Sequence, residues 1–229
     1  DDELSPNQQR ALENTLNIKI LDRTSLVLDI FSQRAKTKEA QIQIELAQLQ
    51  YLQPRLRRMW THLSRLGGGI GTRGPGETQL EVDRRQIGKR ISKLKKDLEK
   101  VQLSRKNQRR NREETSGVTV AIMGYTNAGK STIHNRLTNS QVLQEDKLFA
   151  TLDPTTRKLT LNDGSEILIT DTVGFMRKLP HQLINAFKAT LEEVIYADII
   201  LHIIDCSNPH WNDLMETSHS LLKQLNASI

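Results

Sequence analysis

Apolar residues recur along this chain in two different rhythms, and each rhythm predicts its own kind of structure. From residue 37 onward the spacing is helical: Ile42, Leu46, Leu49, Leu56, Trp60 and Leu63 follow one another at four, three, seven, four and three. That is a heptad seam interrupted at Gln53, and it predicts a helix from Thr37 to about Arg65, kinked at Pro54. A second seam of Leu80, Ile87, Ile91, Leu94, Leu98 and Val101 predicts a helix from Gln79 to about Arg112. Two such seams joined by a short connection read as an antiparallel helical hairpin, the alternative being a longer coiled coil with a partner chain. Beyond residue 117 the rhythm changes to short β-rich runs. Val118–Met123, Arg157–Leu161, Glu166–Thr170 and a buried Ile199–Ile204 are predicted strands. Thr132–Leu137, Pro180–Tyr196 and Trp211–Leu225 are predicted helices. The alternation calls for a doubly wound α/β domain. Residues 1–36 are mixed: Ser5-Pro6 opens a helix over Asn7–Asn14, Ile18–Leu21 is a strand candidate, and Asp22-Arg23-Thr24 starts another helix. The expected division is therefore 1–36, remnant of an α/β subdomain; 37–116, a helical hairpin; and 117–229, an incomplete α/β domain.

The first strand of that domain breaks into Gly124-x-x-x-x-Gly129-Lys130-Ser131, the phosphate-cradling pattern. The glycines allow the tight turn that aims backbone N–H groups at phosphate oxygens. Lys130 reaches the β- and γ-phosphates, the Ser131 hydroxyl binds Mg²⁺, and the helix N-terminus that follows favours an anion. With a strand before it and a helix after it, the pattern defines a nucleotide site over Gly124, Tyr125, Thr126, Asn127, Ala128, Gly129, Lys130 and Ser131. Asp171-Thr172-Val173-Gly174 stands at the end of a later strand, where an aspartate supports Mg²⁺ and a glycine senses the γ-phosphate.

Charge adds a second theme. The net +6 is uneven: residues 79–116 carry thirteen Lys/Arg against six Asp/Glu, a balance of +7, while residues 117–229 carry nine against twelve, −3. A basic half joined to an acidic half suggests that the basic half meets a polyanion, against the plain alternative of a solvated helix face. Between the seams lies Gly67–Glu77, with six glycines and flanking Arg55, Arg57, Arg58, Arg65, Arg73, Arg84 and Arg85. In a hairpin these arginines gather at the tip. Bare backbone at Gly68, Gly69, Gly71 and Gly74, with guanidinium groups at Arg73, Arg84 and Arg85, suits an RNA surface. A flexible linker is the alternative.

Other chemistry is absent. The single Cys206 excludes a disulfide framework and suits a reducing compartment, so cytoplasm is expected. The six histidines lack metal-ligand spacing, and no apolar run is long enough to span a bilayer. The chain opens on Asp, as expected of a piece of a longer protein.

Three stretches together resemble one family. They are Gly67–Glu77 running into Thr78-Gln79-Leu80-Glu81-Val82-Asp83-Arg84-Arg85, the loop Gly124-Tyr125-Thr126-Asn127-Ala128-Gly129-Lys130-Ser131, and Leu148-Phe149-Ala150-Thr151-Leu152-Asp153-Pro154-Thr155. They are similar to the HflX family of translational GTPases, over essentially the whole chain. The resemblance implies an α/β P-loop GTPase domain, GTP and GDP as ligands, Mg²⁺, and the large ribosomal subunit with its rRNA as partner. It also implies a part in splitting stalled ribosomes and a cytoplasmic protein partly bound to ribosomes; a monomer is expected. Carried onto this chain, Phe149, Ala150, Thr151, Leu152 and Asp153 form the first switch, with Thr151 as ligand of Mg²⁺ and the γ-phosphate and Thr155 as its competitor. Asp171–Gly174 opens the second switch. Asn127 resembles the asparagine with which related GTPases recruit K⁺, so Lys130, Asn127 and Thr151 are the expected catalytic groups. Phe175 stands where Ras-like enzymes place a water-positioning glutamine, so intrinsic hydrolysis is expected to be slow. The base-selecting Asn-Lys-x-Asp is not reached by Ile229. An ATP-driven RNA-remodelling enzyme and a nucleotide-binding scaffold without turnover are the rival readings.

Overall fold

Ser5 and Gln8 close the first helix by exchange. The Ser5 hydroxyl accepts from the Gln8 N–H at 3.3 Å and the Gln8 side chain accepts from the Ser5 N–H at 2.9 Å. With Pro6 in the first turn, this capping box starts α1, Pro6–Leu16. The computed structural model describes residues 3–59, 75–115, 117–139, 151–176 and 191–224. Its chain divides into two units, residues 1–33 with 41–100, and residues 34–40 with 101–229.

In the first unit the expected strand at Ile18–Leu21 does not form. Ile18 and Leu21 are exposed. The backbone of Ile20 is instead satisfied by α1 side chains, its carbonyl by Gln9 at 2.8 Å and its N–H by Glu13 at 3.2 Å. β-propensity without a neighbouring ladder was outbid by local side-chain partners. Asp22 then caps α2, Arg23–Arg34, accepting from the Ser25 N–H at 2.8 Å. The long helices are α3, Lys38–Met59, and α4, Pro75–Thr115. Helix α3 runs through Pro54 as one element. Helix α4 begins four residues before the predicted Gln79, so Pro75, Gly76 and Glu77 belong to a helix rather than to the loop; residues 60–74, with most of that loop, lie outside the described residues. Val27, Leu28, Phe31, Ile42, Ile44, Ala47, Tyr51 and Leu94 are buried in this unit. Arg90 of α4 reaches Glu45 of α3 through two hydrogen bonds of 2.7 and 2.8 Å. In the second unit Arg105 of α4 pairs with Glu39 of α3, the order an antiparallel pair requires.

The second unit carries the sheet, with strands β1 Thr119–Gly124, β2 Thr155–Thr160, β3 Glu166–Asp171 and β4 Ile199–Ile203 in the order β2-β3-β1-β4. Strand β1 pairs in parallel with β3 and β4, while β2 is antiparallel to β3. The turn between β2 and β3 is made by Asp163, whose carboxylate accepts from the Ser165 N–H at 2.9 Å, and by Gly164 at φ 83°. Helices α5 Lys130–Leu137 and α6 Trp211–Gln224 complete the unit, and residues 191–195 are helical. The predicted helix over Pro180–Tyr196 otherwise falls outside the described residues. One expectation is corrected: β4 is not a buried strand. It is an edge of the described sheet, with Ile199 50% and Leu201 37% exposed. The core instead lies on β1 and β3, with Val120, Ile122 and Ile169 at its centre.

Candidate functional site

β1 and β3 deliver the site because a parallel pair brings both carboxyl ends to one edge of the sheet. Ile122 sits opposite Asp171 in the ladder, so the start of the phosphate loop and the aspartate lie side by side. The pairing continues past the strands: Phe175 donates its N–H to the Gly124 carbonyl at 3.0 Å, and its own carbonyl accepts from the Thr126 N–H at 2.7 Å. Thr172, fully buried, donates to the Ile122 carbonyl at 2.7 Å. Asp171 is thus bracketed by fixed backbone.

Two glycines permit this fit. A Cβ on Gly124, at φ 149°, would stand 2.3 Å from the Ile203 carbonyl oxygen. One on Gly174 would stand 2.6 Å from the Thr126 Cα and 2.8 Å from the Lys130 ammonium. Between them the loop turns through Asn127 at φ 63°, and Gly129 caps α5.

Three oxygen-bearing side chains converge beside the loop. The Ser131 hydroxyl donates to Asp171 Oδ2 at 2.6 Å, the Thr151 hydroxyl donates to the same oxygen at 2.9 Å, and the two hydroxyls are 2.7 Å apart. Asp171 Oδ1 is buried and has no hydrogen-bond partner among the described residues. A buried anionic oxygen without a donor is costly unless a cation meets it. Mg²⁺ takes hard oxygen ligands, and two hydroxyls beside a bare carboxylate oxygen are such a set. The residues fit the ion. Lys130 is buried, and its ammonium donates to the Tyr125 carbonyl at 2.8 Å. Burial, against the pull of Asp171, brings that ammonium down to about 8.

The structure therefore brings together Lys130, Ser131, Thr151, Asp171 and Gly174, with Tyr125, Thr126, Asn127, Ala128 and Gly129 in the intervening loop. Thr155, the competitor of Thr151, opens β2 and is exposed. Leu152 and Val173 are buried. Asp153 turns its carboxylate away from this cluster to residues 36 and 37, a pairing no local pattern announces. Phe149 and Ala150 lie outside the described residues, as do Gly68, Gly69, Gly71, Arg73 and Gly74. Arg84 and Arg85 are exposed on α4. Arg55 is corrected. It is no tip residue but a half-buried partner of Asp22 at 3.2 Å, stacked over the Tyr51 ring at 3.4 Å.

A phosphate loop closing on a serine, a threonine and a strand-end aspartate, on a β2-β3-β1-β4 sheet, defines an α/β P-loop GTPase fold. Three family models match in succession: "GTP-binding GTPase N-terminal" over residues 1–32, "GTP-binding GTPase Middle Region" over 34–112 and "50S ribosome-binding GTPase" over 119–229. The chain belongs to the HflX family. It is similar to the GTPase HflX of Lacrimispora saccharolytica, 59% identical over 98% of this chain and 53% of that protein. It is also similar to that of Escherichia coli K12, 49% identical over 99% and 53%. The chain thus spans about half the length of the curated relatives it matches. Among solved structures, a GTP-binding protein of Sulfolobus solfataricus in complex with GDP superposes with a TM-score of 0.54 at 27% identity. That match covers 99% of this chain and 59% of that one.

Proposed function

We propose that this chain is the nucleotide-binding and ribosome-facing part of a GTPase that uses GTP and Mg²⁺ as a switch on the large ribosomal subunit, in the cytoplasm, during the splitting or rescue of stalled ribosomes. The observation that carries the reading is the Ser131–Thr151–Asp171 cluster with its bare carboxylate oxygen. Mg²⁺, when bound, neutralises charge on the β- and γ-phosphates. Ser131 and Thr151 would hold it, with Asp171 behind them. Lys130 exchanges the Tyr125 carbonyl for phosphate oxygens, taking a charge-assisted partner in place of a neutral one. Gly174, with no side chain, lets its backbone lie against the phosphate loop and the Lys130 ammonium, where its N–H could meet the γ-phosphate.

Phe175 is buried with its backbone locked to the loop. A phenyl ring in that position orients no water, which supports slow intrinsic turnover and stimulation from outside. We assign that stimulation to the ribosome, with K⁺ at Asn127 as the accompanying cation. The three-part division 1–36, 37–116 and 117–229 then separates the nucleotide-binding domain from a helical arm. The exposed Arg84 and Arg85, in a stretch of balance +7, support an RNA contact for the arm.

The test is GTP hydrolysis by the full-length protein, with and without large subunits, in K⁺ and in Na⁺ buffer. A strong rise with subunits in K⁺ is expected; no rise sinks the reading. ATP that competes equally with GTP would favour the RNA-remodelling alternative instead. Changing Arg84 and Arg85 to Glu lowers subunit binding and flattens its salt dependence.

A further inference from the structure

The first switch is tied at its far end to a helix more than a hundred residues upstream. Asp153 Oδ2 accepts from the backbone N–H groups of Lys36 and Thr37, both at 3.0 Å, and the Thr37 hydroxyl donates to Asp153 Oδ1. Thr37 is at the same time the cap of α3, its oxygen accepting from the Ala40 N–H at 3.2 Å. The carboxylate thus completes the cap and lies at the positive end of the α3 dipole. From the other side Arg105 grips the same turn, bonding Glu39 at 3.4 Å and Glu193 at 2.8 Å. Burial and the neighbouring Glu192 and Asp153 raise Glu39, and Arg105 opposes them.

Thr151 and Asp153 are two residues apart, so the chain between them spans at most about 7 Å. Leu152 between them is buried, and the chain bends at Asp153 directly before the fixed ring of Pro154. A linkage this short and this constrained has no slack. Where Asp153 is fixed, the Thr151 hydroxyl is fixed with it.

We infer that Asp153 is a positioning residue: clamped by Lys36 and Thr37 at the start of α3, it sets the Thr151 hydroxyl against Ser131 and Asp171, so that the first turn of the helical arm is part of the nucleotide-sensing site. This rests on the GTPase reading above. Because γ-phosphate contacts order the first switch, the clamp acts on the triphosphate state and not on the diphosphate state. The relation is reciprocal, so a bound triphosphate also firms the first turn of α3.

The experiment uses the full-length protein with Thr37→Val, Thr37→Ser and Asp153→Asn, and measures affinity for a fluorescent non-hydrolysable GTP analogue and for GDP in Mg²⁺. Thr37→Val and Asp153→Asn are expected to weaken the analogue roughly tenfold, as befits one hydrogen bond to a charged group, and GDP less than about twofold. Thr37→Ser restores the wild-type ratio. Equal weakening of both nucleotides, or of neither, overturns the inference. Amide exchange at Leu152 and Asp153 in nucleotide-free protein gives a separate readout: faster in Thr37→Val, unchanged in Thr37→Ser. If the wild type binds neither nucleotide, the GTPase reading falls, and this exchange pattern alone decides the clamp. Unchanged exchange overturns it.

Discussion

Two buried aspartates, one in each unit, have opposite surroundings. Asp22 is 4% exposed and Asp171 2%. Both oxygens of Asp22 are engaged: the Tyr51 hydroxyl and the Ser25 N–H on one, Arg55 and the Leu4 N–H on the other. Asp171 has two hydroxyls on one oxygen and, among the described residues, no hydrogen-bond donor on the other. The contrast separates a carboxylate that ends its own search for partners within the fold from one kept available to something outside it. Burial alone does not distinguish them; satisfaction does.

The strongest way to break this comparison is to replace each in turn. On the function proposed above, Asp171→Asn in the full-length protein should lower GTP hydrolysis by about 10³-fold, since the proposed Mg²⁺ site loses its charge. Its thermal stability should stay within about 1 kcal/mol of wild type, because an underpartnered buried charge is removed. Asp22→Ala should do the reverse. It leaves the Tyr51 phenol without its acceptor and takes from the half-buried Arg55 the carboxylate at 3.2 Å, and should cost about 3–5 kcal/mol of unfolding free energy. Denaturant titration alongside turnover checks both. Equal destabilisation by the two changes would end the distinction.

Next comes Gly174→Ala. The added Cβ would lie 2.8 Å from the Lys130 ammonium and 2.6 Å from the Thr126 Cα. Both are closer than a Cβ tolerates, so the loop backbone at Thr126 must shift as well as the Lys130 side chain, and misplacement of a sizeable fraction of an ångström costs about 10²-fold in turnover. GDP affinity should change far less if, as proposed, Lys130 and Gly174 face the γ-phosphate. Equal losses in GDP binding and turnover would show general damage to the loop instead.

What the residues announced in advance follows the range of the interaction. The phosphate loop and Asp171–Gly174 were legible because their chemistry is packed into a few consecutive positions. Thr151 is legible only as one of two hydroxyls in a single loop; the structure sets it beside Ser131 and Asp171, while Thr155 opens β2. The clamp of Asp153 on Thr37 left no local trace, since the partners are 116 residues apart. Ile18–Leu21 looked like a strand because propensity registers side-chain shape and not the presence of a neighbour. By sequence Arg55 groups with the loop arginines, because a charge run does not reveal which member finds a buried anion.

Lys130 sharpens the comparison by pH. Its ammonium is lowered to about 8 by burial and, on the function proposed above, gains phosphate oxygens when nucleotide binds. Between about pH 8 and the ordinary lysine range, the empty site is increasingly neutral while the filled one stays charged. Binding there must take up a proton, and affinity should fall by up to about tenfold per pH unit. The empty fold responds with the opposite sign: the unfolded chain holds more protons in that range, so stability rises with pH as the buried charge is lost. Calorimetry at pH 8.5 in buffers of different ionisation enthalpy reads the proton uptake. An enthalpy independent of buffer would show that Lys130 is charged before nucleotide arrives.

Tyr51→Phe is the smallest change and tests the satisfied side. The phenol donates to Asp22 at 2.7 Å, and burial together with that hydrogen bond pushes it up to about 12. Losing one hydrogen bond to a buried carboxylate should cost about 1.5–3 kcal/mol near neutral pH. Because the folded phenol is raised above its ordinary 10, its contribution is complete below pH 10 and fades as pH climbs toward 12. Burial works against ionisation of Asp22, but the hydrogen bonds from Ser25, Tyr51 and Leu4 outweigh it and hold that carboxyl below its ordinary 3.8. Its share is therefore present above that value and lost as pH falls through the lowered one. Wild type should thus have a stability plateau with an acid and an alkaline shoulder. Tyr51→Phe should lower the plateau and remove this phenol's share of the alkaline decline, leaving nucleotide affinity unchanged. An undiminished alkaline decline would show that the Tyr51 phenol ionises as freely in the fold as in the unfolded chain, and that Asp22 is held by Arg55 and the backbone alone.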